Sequence, residues 1–580
     1  MPTLEWIGKN KVINHHQEVP YKVLERKYSF DENGQHEEDN GSENMIIHGD
    51  NLEALKALLP RYEGKIKCIY IDPPYNTGNE KWIYNDNVND PKIQKWLGEI
   101  VGKDGEDLTC HDKWLCMIYP RLKLLQKLLA NDGVIFISIS DNEHSHLRII
   151  CDDIFGSTNF IANFVWKSRA KPSNTGSAKL KPQNDAEYIL CYGKSQNPLF
   201  QLVCSGQERS YPHHDYDGDY RLQTILKSNR GESRRETMTF ELNGYTPPPT
   251  KRWQAGEDKI KDLYSRNRIS FETGEPMLKC YKHEETEELS PFYCFIEKEV
   301  SSTAENGKKM LNTILGNQHG FDTVKPIEIL TYLLKHVCDK NSIVLDSFAG
   351  SGTTAHAILN LNKADNGNRK FILIEMMDYS ESITANRLKR VISGFNTDLE
   401  EVLYDKEITL DNLANGIDMI NEAKEIVSLA KNKYSSVKNP KIKNGHLIVT
   451  AVIKAADQIA GTGGNFSYYE LGEPLLIGDC LNEAVPTEKI REYIWFMETK
   501  TPFTPPTGDN QYYLGQHNDT GYYFYYEPQK ITVLDYSFLA TVNEKANYTV
   551  IYADRCSIGE DKLMQMSITF KKIPRDISKL

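Results

Sequence analysis

The architecture of this chain follows from one segment, Ile69-Tyr70-Ile71-Asp72-Pro73-Pro74-Tyr75-Asn76-Thr77-Gly78. The apolar run that leads into it, 66–71, is dense enough in branched side chains to predict a buried strand. The two prolines fix two φ angles and remove two backbone donors, so the strand is expected to end in a rigid turn. A carboxylate and an aromatic ring, those of Asp72 and Tyr75, are therefore predicted at the end of a buried strand.

The chemistry of this turn suits a planar molecule that carries an exocyclic amine. Asp72 and a backbone carbonyl of the turn can both accept hydrogen bonds from an NH₂ group, while the ring of Tyr75 stacks on a base. Taken alone, these four residues are also compatible with an ordinary strand followed by a proline turn. The rest of the chain distinguishes the two interpretations.

A second motif begins far downstream. The apolar run 342–345 is followed by Asp346-Ser347-Phe348-Ala349-Gly350-Ser351-Gly352-Thr353-Thr354. A strand, a glycine-rich turn and a helix start let a backbone approach a cofactor closely and aim helix N–H groups at it. A phosphate-binding P-loop does not fit, because no lysine follows Gly352 and the glycine spacing differs. Another strand, 370–374, ends at Glu375, which can accept hydrogen bonds from ribose hydroxyls. The candidate cofactor-binding residues of this motif are Asp346, Phe348, Gly350, Gly352, Thr353 and Glu375.

Together the two motifs resemble those of the DNA amino-methyltransferases. The Asp72–Tyr75 motif looks like the catalytic motif of enzymes that methylate adenine N6 or cytosine N4, and the 346–352 run looks like their S-adenosyl-L-methionine motif. The catalytic motif comes first, which is the order of the permuted beta group. The length of the chain and the sequence around the motifs, over 40–395, are similar to those of the modification (Mod) subunits of Type III restriction-modification systems.

The resemblance implies a fold class and a reaction. We expect an α/β, Rossmann-like S-adenosylmethionine-dependent methyltransferase fold with permuted motif order, an inserted target recognition domain and an additional α+β C-terminal domain. The catalytic residues would be Asp72, Pro73, Pro74 and Tyr75, and the enzyme would be a site-specific adenine-N6 DNA methyltransferase that flips its target base out of the duplex. Aspartate at position 72 favours adenine. N4-cytosine methylation and a non-catalytic DNA-recognition subunit remain alternatives.

Two further residues are candidate contacts of the cofactor. Asp50 lies in the turn after a strand-like run, and it is equally suited to capping the helix that follows. Lys325 precedes Pro326 at a helix start, and the resemblance places it near the methionine carboxylate. A plain surface lysine at that position is the alternative for Lys325.

The length of 580 residues exceeds what one hydrophobic core supports, so several domains are expected. The predicted divisions are 1–44, an N-terminal arm; 45–195, the catalytic half of the methyltransferase domain; 196–310, the target recognition domain; 311–395, the cofactor-binding half; and 396–580, a C-terminal domain for dimerisation or docking of a partner.

Candidate DNA contacts come from a basic loop after 160–167 and from the 196–310 region. Arginine pairs bidentately with guanine edges, and lysine adds contacts to phosphate; a solvated run of charges is the alternative for the loop. In the family a histidine usually precedes the Glu187-Tyr188 pair, whereas this chain has Ala186, which weakens any role for that position in holding the target base. The predicted DNA-binding residues are Lys167, Arg169, Lys171, Arg221, Arg230, Arg234, Arg235, Lys251 and Arg252.

Composition limits the partners. A net charge of −12 argues against general attraction to nucleic acid, so DNA contact requires a local basic face. Eleven cysteines without a Cys-x-x-Cys pair predict reduced thiols and no metal site, and His144 and His146 lack a third spaced ligand. No signal peptide or membrane span is evident, so a cytoplasmic protein is expected. The expected partners are double-stranded DNA, a second copy in a homodimer, and a restriction/helicase (Res) subunit.

Overall fold

The structure is a computed structural model. It describes residues 3–76, 110–169, 176–180, 182–196, 198, 200–204, 210–230, 234–285, 289–316, 319–321, 323–396, 399–409, 416–431, 433–434, 436–443, 445–453, 458–506, 510–544 and 546–575. The chain folds into two compact units. The smaller unit is Gln201–Phe292, and the larger unit comprises Met1–Phe200 and Tyr293–Leu580.

A large mixed sheet forms the centre of the larger unit. Within the described residues it has eleven strands, whose spatial order is Phe295–Ile296, Phe160–Lys167, Ala186–Gly193, Leu129–Ile139, Ile66–Ile71, Ile343–Asp346, Lys370–Glu375, Met45–His48, Phe466–Pro474, Lys22–Asp31 and Gly34–His36. The six consecutive strands from Leu129–Ile139 to Phe466–Pro474 are parallel, and Ala186–Gly193 runs against them. This is the predicted α/β fold class.

The position of the two motifs follows from the order of the strands. Ile66–Ile71 and Ile343–Asp346 are direct parallel neighbours, with Ile69 opposite Leu345. Parallel strands end at the same edge of a sheet, and open α/β sheets bind ligands at that edge. The turn after Ile71 and the turn after Asp346 therefore leave the sheet side by side.

Several helices pack on the sheet through an apolar face. In Cys110–Leu128, Trp114, Leu122 and Leu125 are fully buried in the same core as Ile69. No helix in the described ranges is long and apolar enough to cross a membrane. The α-helices of the larger unit are Lys9–Val12, His15–Glu18, Asn51–Tyr62, Cys110–Leu128, Asp141–Cys151, Ala304–Leu315, Ile327–Val337, Thr353–Asp365, Asn386–Ser393, Gly416–Ala430, Thr487–Thr499, Tyr536–Leu539 and Glu560–Gln565. Short π and 3₁₀ turns occupy Asp152–Gly156, Ser157–Asn159, Gly176–Leu180 and Ser380–Ala385.

The N-terminal residues differ from the expected irregular arm. Lys22–Asp31 is a strand of the central sheet, antiparallel to Phe466–Pro474, and the hydroxyls of Ser29 and Ser467 lie 2.8 Å apart. The sequence did not indicate this pairing because more than four hundred residues separate the two strands. The many charged side chains of Lys22–Asp31 also hide its apolar alternation.

The C-terminal residues also differ from the expected separate domain. Phe466–Pro474 lies within the central sheet, parallel to Met45–His48, so 396–580 is not independent of the methyltransferase core.

The remaining strands of the larger unit form two four-stranded sheets and three short pairs. Their bounds are Leu399–Glu407, Ser436–Val437, Lys441–Lys443 and His446–Ile453; Tyr513–His517, Thr520–Phe524, Tyr548–Ala553 and Ile568–Lys572; and Gly394–Asn396 with Gln458–Ala460, Leu476–Ile477 with Cys480–Leu481, and Val533–Leu534 with Arg555–Cys556.

The smaller unit has its own core around the fully buried Trp253, which packs with Ile225 and Ile260. Its residues fall inside the range 196–310. It contains the helix Glu257–Ser265, the 3₁₀ turn Glu236–Met238 and the strands Val203–Cys204, His213–Asp215, Gly218–Thr224, Leu226–Ser228, Lys251–Trp253, Ile269–Ser270, Met277–Tyr281 and Leu289–Ser290.

Candidate active site

One cleft lies where the two motifs leave the sheet. Its volume, counted out to the open mouth, is about 1160 Å³. Both Tyr75 and Phe348 line it, so two segments that are far apart in the sequence share one site. Residues from both motifs and from the segments beside them line it, among them Asp72, Pro73, Tyr75, Arg169, Ala186, Glu187, Lys325, Asp346, Phe348, Gly350, Ser351, Thr353 and Thr354.

The Asp72–Tyr75 turn is held from behind by a buried indole. The Nε1–H group of Trp114 donates to the carbonyl oxygen of Pro74 at 2.7 Å. Asn76, the next residue, has a left-handed backbone with φ +59°, and its side-chain amide donates to Glu143 Oε1 at 2.5 Å. Such a φ is uncommon outside glycine, although asparagine tolerates it better than most residues. Packing and hydrogen bonds therefore fix the path of the turn.

Lys325 reaches the acid of the catalytic turn. Its Nζ donates to both Asp72 oxygens, at 3.0 and 2.9 Å, and to the Tyr75 hydroxyl at 2.8 Å, and it lies 3.2 Å from Glu187 Oε2. Burial lowers the pKa of Lys325, but the carboxylates of Asp72 and Glu187 outweigh it and raise the pKa above its ordinary value. Lys325 is therefore a charged ammonium on the acid. It lines the same cleft as Phe348 and Gly350, and its contact with a methionine carboxylate stays a prediction.

Glu187 is a member of this site that the sequence did not single out. It lies on Ala186–Gly193, and its Oε2 accepts a hydrogen bond from the Tyr75 hydroxyl at 3.1 Å. Burial, followed by the Asp72 charge, raises the pKa of Tyr75 well above its usual range, so the hydroxyl keeps its proton. The Glu187-Tyr188 pair was visible in the sequence, but only the fold shows that the acid faces the turn.

The glycine loop is organised by two buried acids. Asp346 accepts from the backbone N–H of Phe348 at 3.0 Å and from the hydroxyl of Thr354. Glu375 accepts from the N–H of Gly350 at 2.8 Å and from that of Met377 at 3.0 Å. Burial raises the pKa of each acid to about 7. Glu375, expected to accept from ribose hydroxyls, thus directs both oxygens at backbone N–H groups in this structure.

A buried arginine lies beneath the same loop. Arg387 is fully buried and donates at 2.9 Å to the hydroxyls of Ser351 and Thr353, two residues that line the cleft. Burial lowers the pKa of Arg387 to about 9. Its charge adds to the positive end of Thr353–Asp365, which begins after Gly352 at φ +79°. The sequence offered no motif that would have identified it.

Asp50 caps the helix Asn51–Tyr62, which is one of the two roles that the sequence indicated for it. Its Oδ1 accepts from the backbone N–H groups of Leu52 and Glu53, at 2.8 and 3.1 Å. The adjacent Asn51 donates its side-chain amide to the carbonyl of Ser347, which ties the helix start to the glycine loop.

The predicted DNA-binding residues fall into three groups. Arg169 is exposed and lines the cleft, Lys167 is 3.9 Å from Asp185, and Lys171 lies outside the described residues. In the smaller unit three cations are paired, namely Arg221 with Glu285, Lys251 with Glu275 and Arg234 with Glu236, at 2.6 to 2.8 Å. Arg252 donates to the Trp253 carbonyl at 3.3 Å, whereas Arg230 and Arg235 are exposed.

The comparisons with known proteins give the family. Residues 66–386 match the sequence model of the DNA methylase family of N6/N4 methyltransferases. The chain is 31% identical over 447 residues to the Type III restriction-modification enzyme StyLTI Mod subunit of Salmonella typhimurium, a match covering 71% of this chain and 65% of that protein. It is 30% identical to the EcoPI Mod subunit of Escherichia phage P1 (71% and 70% covered) and to the EcoP15I Mod subunit of Escherichia coli (68% and 67%). The matched family region contains both motifs of the cleft, and the chain therefore belongs to the N6/N4 DNA methylase family.

Proposed function

We propose that this protein transfers a methyl group from S-adenosylmethionine to the N6 amine of adenine in double-stranded DNA, as the modification subunit of a Type III restriction-modification system. The observation that carries the proposal is the single cleft in which Asp72 and Tyr75 meet Phe348 and the glycine loop. The similarity to three Mod subunits supports the type of system.

The residues of the glycine loop suit the cofactor. An aromatic face at Phe348, the N-terminus of Thr353–Asp365 and the charge of Arg387 behind Ser351 match a ligand with a flat base and a carboxylate. When bound, S-adenosylmethionine supplies an electrophilic methyl group on a sulfonium. The chain must then bring a nucleophile in line with it and keep water away.

The chain's part in the reaction is to make a poor nucleophile better. The lone pair of an adenine amine is delocalised into the ring, and hydrogen bonds to Asp72 and to the Pro73 carbonyl draw the nitrogen toward a tetrahedral form. The carboxylate also stabilises the positive charge that develops on that nitrogen. A carboxylate offers about four lone-pair sites, so Asp72 can accept from the amine while Lys325 holds its other sites.

Access to the amine requires base flipping, because the amine is buried in a duplex. Tyr75 lines the cleft and is fixed through its hydroxyl by Glu187 and Lys325, which leaves its ring face to stack on the extruded base. Stacking offsets part of the base stacking that is lost.

We assign target recognition to the smaller unit, Gln201–Phe292, on the basis of its exposed arginines and its separate core. Contacts with a second copy and with a restriction subunit are assigned to the parts of 396–580 outside the central sheet. Because Phe466–Pro474 is an interior strand of that sheet, a truncation at 396 would remove core structure and would not test these contacts. From the proposed DNA substrate we also infer a cytoplasmic location.

The test is transfer of a tritiated methyl group to mixed-sequence DNA, followed by mapping of the modified base. Asp72→Ala should abolish transfer while cofactor binding, measured by calorimetry, persists. Asp132→Ala, which removes a surface carboxylate paired with Lys67, is the matched control and should behave like the parent protein. Transfer by Asp72→Ala at a near-normal rate would show that the acid is misassigned, and label on cytosine would show that the enzyme is N4-specific.

A further inference from the structure

Three potential metal ligands converge behind the catalytic turn. His111 Nδ1 lies 2.7 Å from Glu143 Oε1, and His146 Nδ1 lies 2.8 Å from Glu143 Oε2. One ligand atom from each residue can be chosen so that all lie within 4.8 Å of one another. The sequence did not reveal the group, because His111 lies on another helix, 32 residues before Glu143.

Rigid elements present these side chains. Glu143 and His146 are three residues apart on Asp141–Cys151, so they share a face of the helix. The Glu-x-x-His spacing is one that helical metal proteins use. His111 is in the first turn of Cys110–Leu128, which is anchored by the fully buried Trp114. Ligands on packed helices are positioned before an ion arrives.

Glu143 is the acid of this group, and its oxygens face His111, His146 and Asn76. Its side chain is completely buried, and among the described residues only the two imidazoles lie within ion-pair distance. A buried carboxylate is costly unless it is neutralised. Two neutral imidazoles and one carboxylate are the ligand set of open zinc sites and of related transition-metal sites.

A fourth ligand, an amide oxygen, is available from Asn76. Its amide lies 2.5 Å from Glu143 Oε1, and the oxygen and nitrogen of an amide exchange places by a flip about the terminal bond. After such a flip the carbonyl oxygen faces the group. Asn76 directly follows Tyr75, so an ion held there would also fix the end of the catalytic turn.

We propose that His111, Glu143 and His146, completed by Asn76 or water, bind one transition-metal dication of the zinc class. The present Nδ1–Oε distances are those of hydrogen bonds, whereas zinc bonds of about 2.0–2.2 Å in a tetrahedron set ligand atoms about 3.3 Å apart. Binding therefore lengthens each Nδ1–Oε separation by about half an ångström and displaces protons from the imidazoles. The His111 side chain is 46% exposed and is free to make that shift.

The test uses the full chain after removal of metal with a chelator. Co²⁺ is titrated in place of Zn²⁺, and its visible ligand-field absorption reports imidazole and carboxylate coordination. We expect saturation at one equivalent and displacement of Co²⁺ by Zn²⁺. His111→Gln and His146→Gln should each weaken binding at least tenfold. The matched control is His144→Gln, since His144 is on the same helix but its ring packs on Tyr188, and it should bind like the parent.

A thermal readout separates loss of the site from loss of the fold. Zn²⁺ should raise the Tm of the parent and of His144→Gln, and should raise the Tm of folded His111→Gln and His146→Gln by a smaller amount at the same concentration. The proposal is overturned if the parent takes up no stoichiometric Co²⁺, or if His146→Gln takes it up with the parent's affinity. Neither result depends on methyl transfer, so failure here is distinct from failure of the proposed function.

Discussion

Lys325 and Asp72 form a two-point contact across 253 residues of sequence, with Nζ at 3.0 and 2.9 Å from the two carboxylate oxygens. The same ammonium touches the Tyr75 hydroxyl and approaches Glu187, so one buried cation holds two acids and a phenol together. Without this cation the two acids around the site would repel each other. The ammonium thus keeps Asp72 available as an acceptor.

Lys325→Met should therefore lower the rate of methyl transfer by about tenfold or more, because Asp72 and Tyr75 lose the ammonium that holds them and the two acids repel each other. The measurement is kcat with saturating DNA and cofactor. Lys335→Met, an exposed lysine on the same helix, is the control. A kcat for Lys325→Met equal to that of the parent would contradict the argument.

The two motifs were predictable because each is local. An apolar strand, a proline turn and a glycine-rich loop are written in consecutive residues, and parallel strand ends then bring them to one edge of the sheet. The sequence did not predict the contacts that the structure shows for Lys325, Glu187 and Arg387. Each of these side chains binds a partner on a distant segment. Their orientation depends on packing that no local pattern encodes, and the same holds for the Lys22–Asp31 strand beside Phe466–Pro474.

The buried acids of the glycine loop predict a dependence of stability on pH. Burial raises the pKa of Asp346 and Glu375 to about 7, from ordinary values of 3.8 and 4.5. Each acid binds its proton more tightly in the folded chain, so the stability it contributes is full below the unfolded pKa and is lost as the pH rises through 7. The free energy of unfolding should fall across this window by at most about 3–4 kcal/mol per group.

The measurement for these acids is Tm between pH 4 and pH 8. In Glu375→Gln the decline should be shallower, because one of the two titrating groups is gone. Glu305→Gln, which removes an exposed carboxylate paired with Lys309, should decline like the parent. Equal slopes for Glu375→Gln and the parent would show that Glu375 does not titrate in this range. Cofactor should be absent, since binding would add its own stabilisation.

Arg387 predicts a selective effect on cofactor binding. Arg387 donates to Ser351 and Thr353, which line the cleft, so its positive charge would attract a ligand carboxylate bound beside them. Arg387→Met should weaken binding of S-adenosylmethionine about tenfold, with little effect on 5′-methylthioadenosine, which lacks the carboxylate. Calorimetry with both ligands measures the difference. Arg390→Met, which removes an arginine bonded to the Ile314 carbonyl, is the control. Equal losses for the two ligands would indicate a general disturbance of the loop.

Exposed arginines of the smaller unit should contribute more to DNA binding than its paired cations. Arg230 and Arg235 are exposed, whereas Lys251 is committed to Glu275 at 2.6 Å. Breaking an ion pair to contact phosphate forfeits part of the gain, so Arg230→Ala and Arg235→Ala should each weaken DNA binding more than Lys251→Ala. Affinities measured over a range of salt concentrations test this, and loss of one phosphate contact lowers the salt slope by about 1. If Lys251→Ala had the larger effect, the Lys251–Glu275 ion pair would have to break when DNA binds. The ion pairs of the smaller unit would then belong to the DNA-free form of the surface.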